Sequence, residues 1–204
     1  MSNAGLFFVG AVLVVNGLML LGVVPARGAA PLNLFVGALQ VITPTYLLMT
    51  ADDPAALHAA TGLYLFGFTY LWVGINALAG LPGQGLGWFS LFVAVAAVGY
   101  AVVSLRDGAP VFAVIWSSWA VLWLLFFLVL GLGKDALAPF TGVVAVAEGV
   151  LTAAVPAWLL MVGSFAETAP VAVGGAVTAA VLLAAAYALT RPHALTRRAG
   201  SPSP

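Results

Sequence analysis

The chain has 204 residues, 64% of them hydrophobic and only 6% charged, with six Lys and Arg against six Asp and Glu. Soluble domains carry about 25% charged residues, and none of this size has enough interior to hide so much apolar surface, so this is a polytopic membrane protein. The balanced charge carries no nucleic-acid signature. The lack of cysteine excludes disulfide and thiolate chemistry, and His58 and His193 lie too far apart, in polar segments, to hold a metal.

The opening Met-Ser-Asn-Ala-Gly lacks the basic region of a cleavable signal, so the first apolar run reads as a retained helix. A helix crosses the hydrocarbon with about 20 apolar residues. In chain order, seven segments qualify: Leu6–Val24, Leu32–Met49, Thr61–Leu81, Leu86–Leu105, Ala109–Leu132, Leu137–Gly163 and Val171–Leu189. Turn or charge signals separate them: Pro25 to Gly28, Ala51 to Pro54, Leu81 to Gly85, Arg106 to Gly108, Gly133 to Asp135 and Glu167 to Pro170. Such short connections make neighbouring helices antiparallel. The expected organisation is an all-α bundle of six spans over residues 1–163, a seventh span over 164–190, and a disordered basic tail, Arg191 to Pro204.

With the N-terminus outside, Arg27, Lys134, Arg191, Arg197 and Arg198 lie in the cytoplasm and only Arg106 lies outside. That is the positive-inside asymmetry, and it predicts a cytoplasmic C-terminus. A weak repeat aligns Leu34 to Gln40, Leu91 to Ala97 and Gly142 to Glu148, which makes Gln40, Ala97 and Glu148 equivalent and fits three helical hairpins.

Glu148 is the single ionisable group inside a long apolar span. A charge at that depth costs about 2.5–3.5 kcal/mol on insertion scales and rarely stands without a task. Asn16 and Asn76 lie deep in the first and third spans. In the fifth, Trp116, Trp119 and Trp123 share one helical face. In the third, Tyr64, Phe68 and Trp72 recur every fourth residue, with Asn76 one turn further. Either stripe alone is satisfied by helix packing. Two stripes with an acid on a third helix fit a shared lumen. Gly17, Gly22, Gly67 and Gly80 read as close-packing points, and Pro44 and Pro156 as kinks.

Leu65 to Asn76, Trp88 to Val93, Ile115 to Trp123, and Phe140-Thr-Gly through Ala147-Glu-Gly-Val-Leu-Thr-Ala to Leu159 closely resemble the AmiS/UreI family of urea channels and amide transporters. The resemblance runs from the first span to the sixth. It implies a twisted six-helix bundle with a pore in each protomer, assembled as a homo-hexamer in the cell membrane. Carried over from the family, the pore residues are Phe68, Trp72, Trp116, Trp119, Trp123 and Glu148, with Trp72 standing where urea channels carry a tyrosine. Asn16 and Asn76 join them as polar candidates from their position in the spans.

Urea and short amides are planar, neutral and rich in hydrogen-bonding groups. Stripping an amide of water costs about 2–7 kcal/mol without replacement, which closes the lipid route. Flat aromatic walls match the solute, and few polar groups keep its binding weak enough for release. For Glu148 three roles stay open: an acceptor for solute N–H groups, a proton carrier in a coupled amide transporter, or a structural hydrogen bond to Gln40 or Asn16. No cofactor and no catalytic constellation is evident, so an enzyme is not expected. The alternative to transport is a membrane sensor or assembly protein. A channel of this kind would feed a cytoplasmic urease or amidase, and the basic tail would meet anionic lipid or a soluble partner.

Two departures from the family pattern stand out. The seventh span and its tail are additions, and the loop after the second span, Ala51 to Ala60, holds one histidine, whereas acid-gated channels carry a long histidine-rich segment there. Histidine clusters sense pH between about 5 and 8, and a single one is a poor sensor. Urea flux into proteoliposomes should therefore not switch on several-fold between about pH 7 and pH 5, the window in which histidine titrates.

Overall fold

The computed structural model describes residues 3–51 and 53–190. The tail, Arg191 to Pro204, lies outside the described residues. Among the described residues, seven helices are long and apolar enough to cross a membrane: α1 Asn3–Leu20, α2 Ala26–Thr50, α3 Pro54–Ala79, α4 Gln84–Arg106, α5 Pro110–Gly131, α6 Asp135–Met161 and α7 Ala169–Thr190. No strand occurs among the described residues.

Two helices, α2 and α3, start well ahead of their apolar runs, because caps rather than hydrophobicity set their ends. At α3, the Asp53 side chain accepts from the Ala56 N–H at 2.8 Å and Pro54 occupies the first turn, a favoured N-terminal pairing. At α2, the Pro25 carbonyl accepts from Gly28 and Ala29 at 2.8 and 3.1 Å. Arg27, in the first turn of α2, reaches the Leu78 carbonyl at the end of α3 at 3.3 Å, where a cation suits the helix dipole. The chain then leaves α3 through Gly80, whose φ of 67° is left-handed and whose N–H bonds the Asn76 carbonyl at 2.9 Å.

The helices form a ring. α2 packs along α3, α4 along α5, and α1 closes the ring against α6. The pairs α3/α4 and α5/α6 touch least, which leaves two seams. The closure depends on bare backbone. A Cβ on Gly10 would lie 2.6 Å from the Gly149 carbonyl, and one on Gly17 2.5 Å from the Gly142 carbonyl. These glycines, one heptad apart on each helix, let the two backbones touch, as small residues do in membranes. The α6 side of this contact runs into a wide π turn, Gly149–Ala154, immediately before Pro156, which cannot donate the usual intrahelical bond. Gln40, Ala97 and Glu148, the aligned positions of the weak repeat, are all buried.

α7 is peripheral: only 11% of its apolar window is buried. It lies over the α5/α6 seam, held by Phe140 against Tyr187 at 5.9 Å and by its linker, where Phe165 meets Phe112 at 5.4 Å. In the same linker, Glu167 accepts from the Val111 N–H. A carboxylate at the first turn of α5 is favoured by the exposed amides there.

Filling the α1/α6 contact should loosen the bundle. Gly17→Leu is expected to cost about 1–3 kcal/mol, the usual penalty of overpacking, read as a lower unfolding midpoint in detergent.

Candidate functional site

Three indoles from α5 point into the ring: Trp116, Trp119 and Trp123 are buried, the last two completely. Phe66 of α3 touches all of them, with ring centroids 5.8, 4.8 and 5.1 Å away. Its contacts with Trp119 and Trp123 are edge-to-face, the arrangement aromatic pairs prefer. Tyr70 follows one turn on, 6.4 Å from Phe66. Towards the start of α3, Tyr100 of α4 stacks on Trp116 at 4.4 Å, and His58 stacks on Tyr100 at 4.3 Å. The Tyr100 hydroxyl donates to the His58 carbonyl at 2.8 Å. An aromatic column thus runs from the first turns of α3 towards its far end.

The indole N–H groups are engaged. Trp119 Nε1 donates to Thr152 Oγ1 at 2.9 Å, and that hydroxyl donates to the Glu148 carbonyl at 2.6 Å. Trp123 Nε1 makes a long bond of 3.4 Å to Thr69 Oγ1, and Thr69 donates to the Leu65 carbonyl at 2.7 Å. The two threonines satisfy their own hydroxyls on the helix and present an acceptor to an indole.

Below the rings lies a cavity of about 220 Å³, walled by Trp123, Tyr70, Asn16, Asn76, Ser90 and apolar neighbours, near the ends of α1, α3 and α5. It is smaller than the 300–1,000 Å³ usual for drug-sized ligands, so its occupant has few heavy atoms. Two residues that line it each carry a polar atom buried without a partner: the Tyr70 hydroxyl and Asn76 Oδ1. Asn16 differs. Its amide is paired reciprocally with that of Asn33, at 2.9 and 2.7 Å, and Asn33 also donates to the Ala29 carbonyl at 3.0 Å. That pair joins α1 to α2.

The structure brings Trp116, Trp119 and Trp123 together, and places Asn16 and Asn76 at the adjoining cavity. It does not bring Phe68 or Trp72 there. Phe68 is 48% exposed and lies against Tyr64, while Trp72 is 36% exposed and packs on Phe89 of α4. The interior positions are Phe66 and Tyr70, each two residues earlier. Two residues turn a helix by about 200°, so the stripe read from the sequence occupies the opposite face. Glu148 lines neither the rings' inner face nor this cavity. It borders a crevice between α5, α6 and α7. The signal that would have chosen Phe66 and Tyr70 is Thr69, a hydroxyl on their side of the helix that an indole can use.

A profile of AmiS/UreI family transporters matches residues 1–164. The chain belongs to the AmiS/UreI family. It is 56% identical over 205 residues to the putative amidate substrates transporter protein of Mycolicibacterium smegmatis, covering 100% of this chain, α7 included, and 93% of that one. It is 37% identical to the acid-activated urea channel of Helicobacter pylori over 77% of this chain and 95% of the channel. The crystal structure of the Helicobacter pylori urea channel superposes with a TM-score of 0.72 at 35% identity, covering 81% of this chain and 100% of that one. Among AmiS/UreI chains, then, this one pairs the channel-like bundle with a helix beyond the matched region.

Asn16 and Asn33 should behave as one unit. A double-mutant cycle with Asn16→Ala and Asn33→Ala is expected to give a coupling of about 0.6–1.7 kcal/mol, the range for interhelical hydrogen bonds in membranes, read from unfolding in detergent.

Proposed function

We propose that this AmiS/UreI chain is a passive channel for small neutral amides, urea or short aliphatic amides, with its path through the ring of α1 to α6. The observation that carries the reading is the small cavity ending on packed indoles, with an unpartnered hydroxyl and an unpartnered amide oxygen on its wall. A primary amide complements both. Its NH2 donates to Asn76 Oδ1, and its carbonyl accepts from the Tyr70 hydroxyl. Those bonds replace part of the water lost on entry, which otherwise costs about 2–7 kcal/mol. An ion gains much less from this wall, because no charged side chain lines the cavity among the described residues.

Phe66 and the indoles form the constriction. They are in contact, so a solute passes only when a ring swings aside. Planar solutes need the smallest displacement, because they slide between aromatic faces. The relatives, an amidate substrates transporter and a urea channel by name, agree with a solute of this shape and polarity.

With Arg27 and Lys134 on the same side as the cavity, the positive-inside preference turns the cavity to the cytosol and leaves the N-terminus outside. The outer approach is then the His58–Tyr100–Trp116 stack. We further propose a homo-hexamer, supported by the family resemblance, delivering solute to a cytoplasmic urease or amidase.

Uptake of labelled urea and acetamide into proteoliposomes tests the reading. Tyr70→Phe and Asn76→Ala should each lower flux about two- to tenfold, the equivalent of one hydrogen bond. Phe68→Ala, on the outer face, should leave it unchanged. Loss with Phe68→Ala but not with Tyr70→Phe would return the path to the other face of α3.

A further inference from the structure

The seam between α5 and α6 is loosely packed, and α7 lies across it without filling it. The space left is a crevice of about 800 Å³. It shares no lining residue with the inner cavity. The α7 wall mixes small residues, among them Ala172, Gly175 and Ala179, with Leu182, Leu183 and Leu189. The α5 and α6 walls are largely apolar, with Ser117, Ser118, Glu148 and Thr152 as polar points, and the Ser117 hydroxyl is bonded back to the Ala113 carbonyl at 2.7 Å. Glu148 is 9% exposed, and its Oε2 has no hydrogen-bond partner. Thr152 beside it is already committed, accepting from Trp119 and donating to the Glu148 carbonyl.

We propose that this crevice is a second binding site, entered sideways from the bilayer, for primary aliphatic amides with an apolar tail. The inference rests on the reading of the chain as an amide channel. Its occupant follows from complementarity. The walls are apolar, and the size falls within the 300–1,000 Å³ of sites that hold drug-sized molecules, so a long aliphatic body fits where urea would leave most of the space empty. A plain hydrocarbon chain would fill the space and leave the carboxyl oxygen orphaned at membrane depth, a costly state. An amide NH2 that reaches the part of Glu148 still exposed supplies a donor to the carboxyl, which accepts it whether or not it is protonated. The Ser118 hydroxyl stands on the α5 wall as a polar group for the amide carbonyl.

The crevice also adjoins the constriction. Thr152 lines it, accepts the Trp119 N–H and donates to the Glu148 backbone carbonyl, so two hydrogen bonds through one hydroxyl tie the residue at the crevice to an indole of the column. The site thereby gives longer amides, which partition into lipid, a place at the pore's flank that the inner cavity is too small to offer.

The test uses the full chain in lipid nanodiscs and a diazirine-bearing decanamide as photoprobe, with a diazirine alkane of equal length as control. Labelling should map by mass spectrometry to α6 and α7, be competed by decanamide and not by urea, and exceed labelling by the alkane. Ala179→Leu, which fills the crevice from a peripheral helix with a good helix former, should lower labelling about fivefold or more, the loss expected when bulk displaces a buried chain. Its urea flux should match the unmodified chain. Glu148→Leu removes a charge that membrane insertion disfavours, so it should fold while losing the preference for amide over alkane. Equal labelling by amide and alkane would overturn the proposal in favour of a lipid-filled crevice, as would labelling that survives Ala179→Leu. Labelling as expected with no urea flux in the unmodified chain would overturn the permeation reading and leave this site standing.

Discussion

The close crossing of α1 and α6 is the constraint on which the rest depends. Six helices enclose an interior only if the last returns to the first, and in a bilayer no hydrophobic force drives that return, because lipid is as apolar as leucine. What remains is van der Waals contact at short range, and Gly10, Gly17, Gly142 and Gly149 allow it by presenting backbone to backbone. The π turn after Glu148 belongs to the same contact. It shifts the second half of α6 relative to the first, so that Thr152 faces Trp119 while Gly149 meets α1. Closure of the ring and the anchoring of Trp119 are thus set by adjacent residues of one helix.

Inside the ring, polar groups divide into two kinds. Some complete the architecture: the Asn16–Asn33 pair, and the hydroxyls of Thr69, Ser90, Thr141 and Thr152 bonded back to their own helices. Others are buried without a partner, among them the Tyr70 hydroxyl, Asn76 Oδ1 and Glu148 Oε2. Buried polar groups are normally satisfied, and in a membrane there is little water to excuse an exception. The first two share the inner cavity, and the third borders the lateral crevice. Of the five unpartnered buried side-chain atoms among the described residues, three belong to residues that line these two spaces, while Gln40 Oε1 and Glu167 Oε2 lie apart from both.

Against that division the sequence is readable to different depths in different helices. On α5 the run from Ile115 to Trp123 holds its tryptophans on one face, and a single face has one choice of interior. On α3 aromatic residues occupy two faces, Phe66 and Tyr70 on one, Tyr64, Phe68 and Trp72 on the other. In water the polar side would mark the exterior, but in lipid both faces are apolar and periodicity alone does not choose. Glu148 was legible as an oddity for its charge. Its surroundings depend on α7, a helix more than twenty residues away in sequence whose alanine-rich face says nothing about what it leaves uncovered.

What the sequence by itself determined is the class of protein and its spans: composition demanded a bilayer, run lengths marked seven crossings, and the residues from Leu65 to Leu159 carried the family. These are local properties, set by the cost of placing each side chain in hydrocarbon. Tertiary structure alone decided that Phe66 meets the indoles with Tyr70 stacked beside it, that Asn16 is bound to Asn33 while Asn76 Oδ1 is left unpartnered, and that Glu148 borders the α7 crevice. Those outcomes depend on how each helix rotates about its axis when the ring closes. That rotation is fixed by contacts between residues far apart in the chain, which no single span encodes.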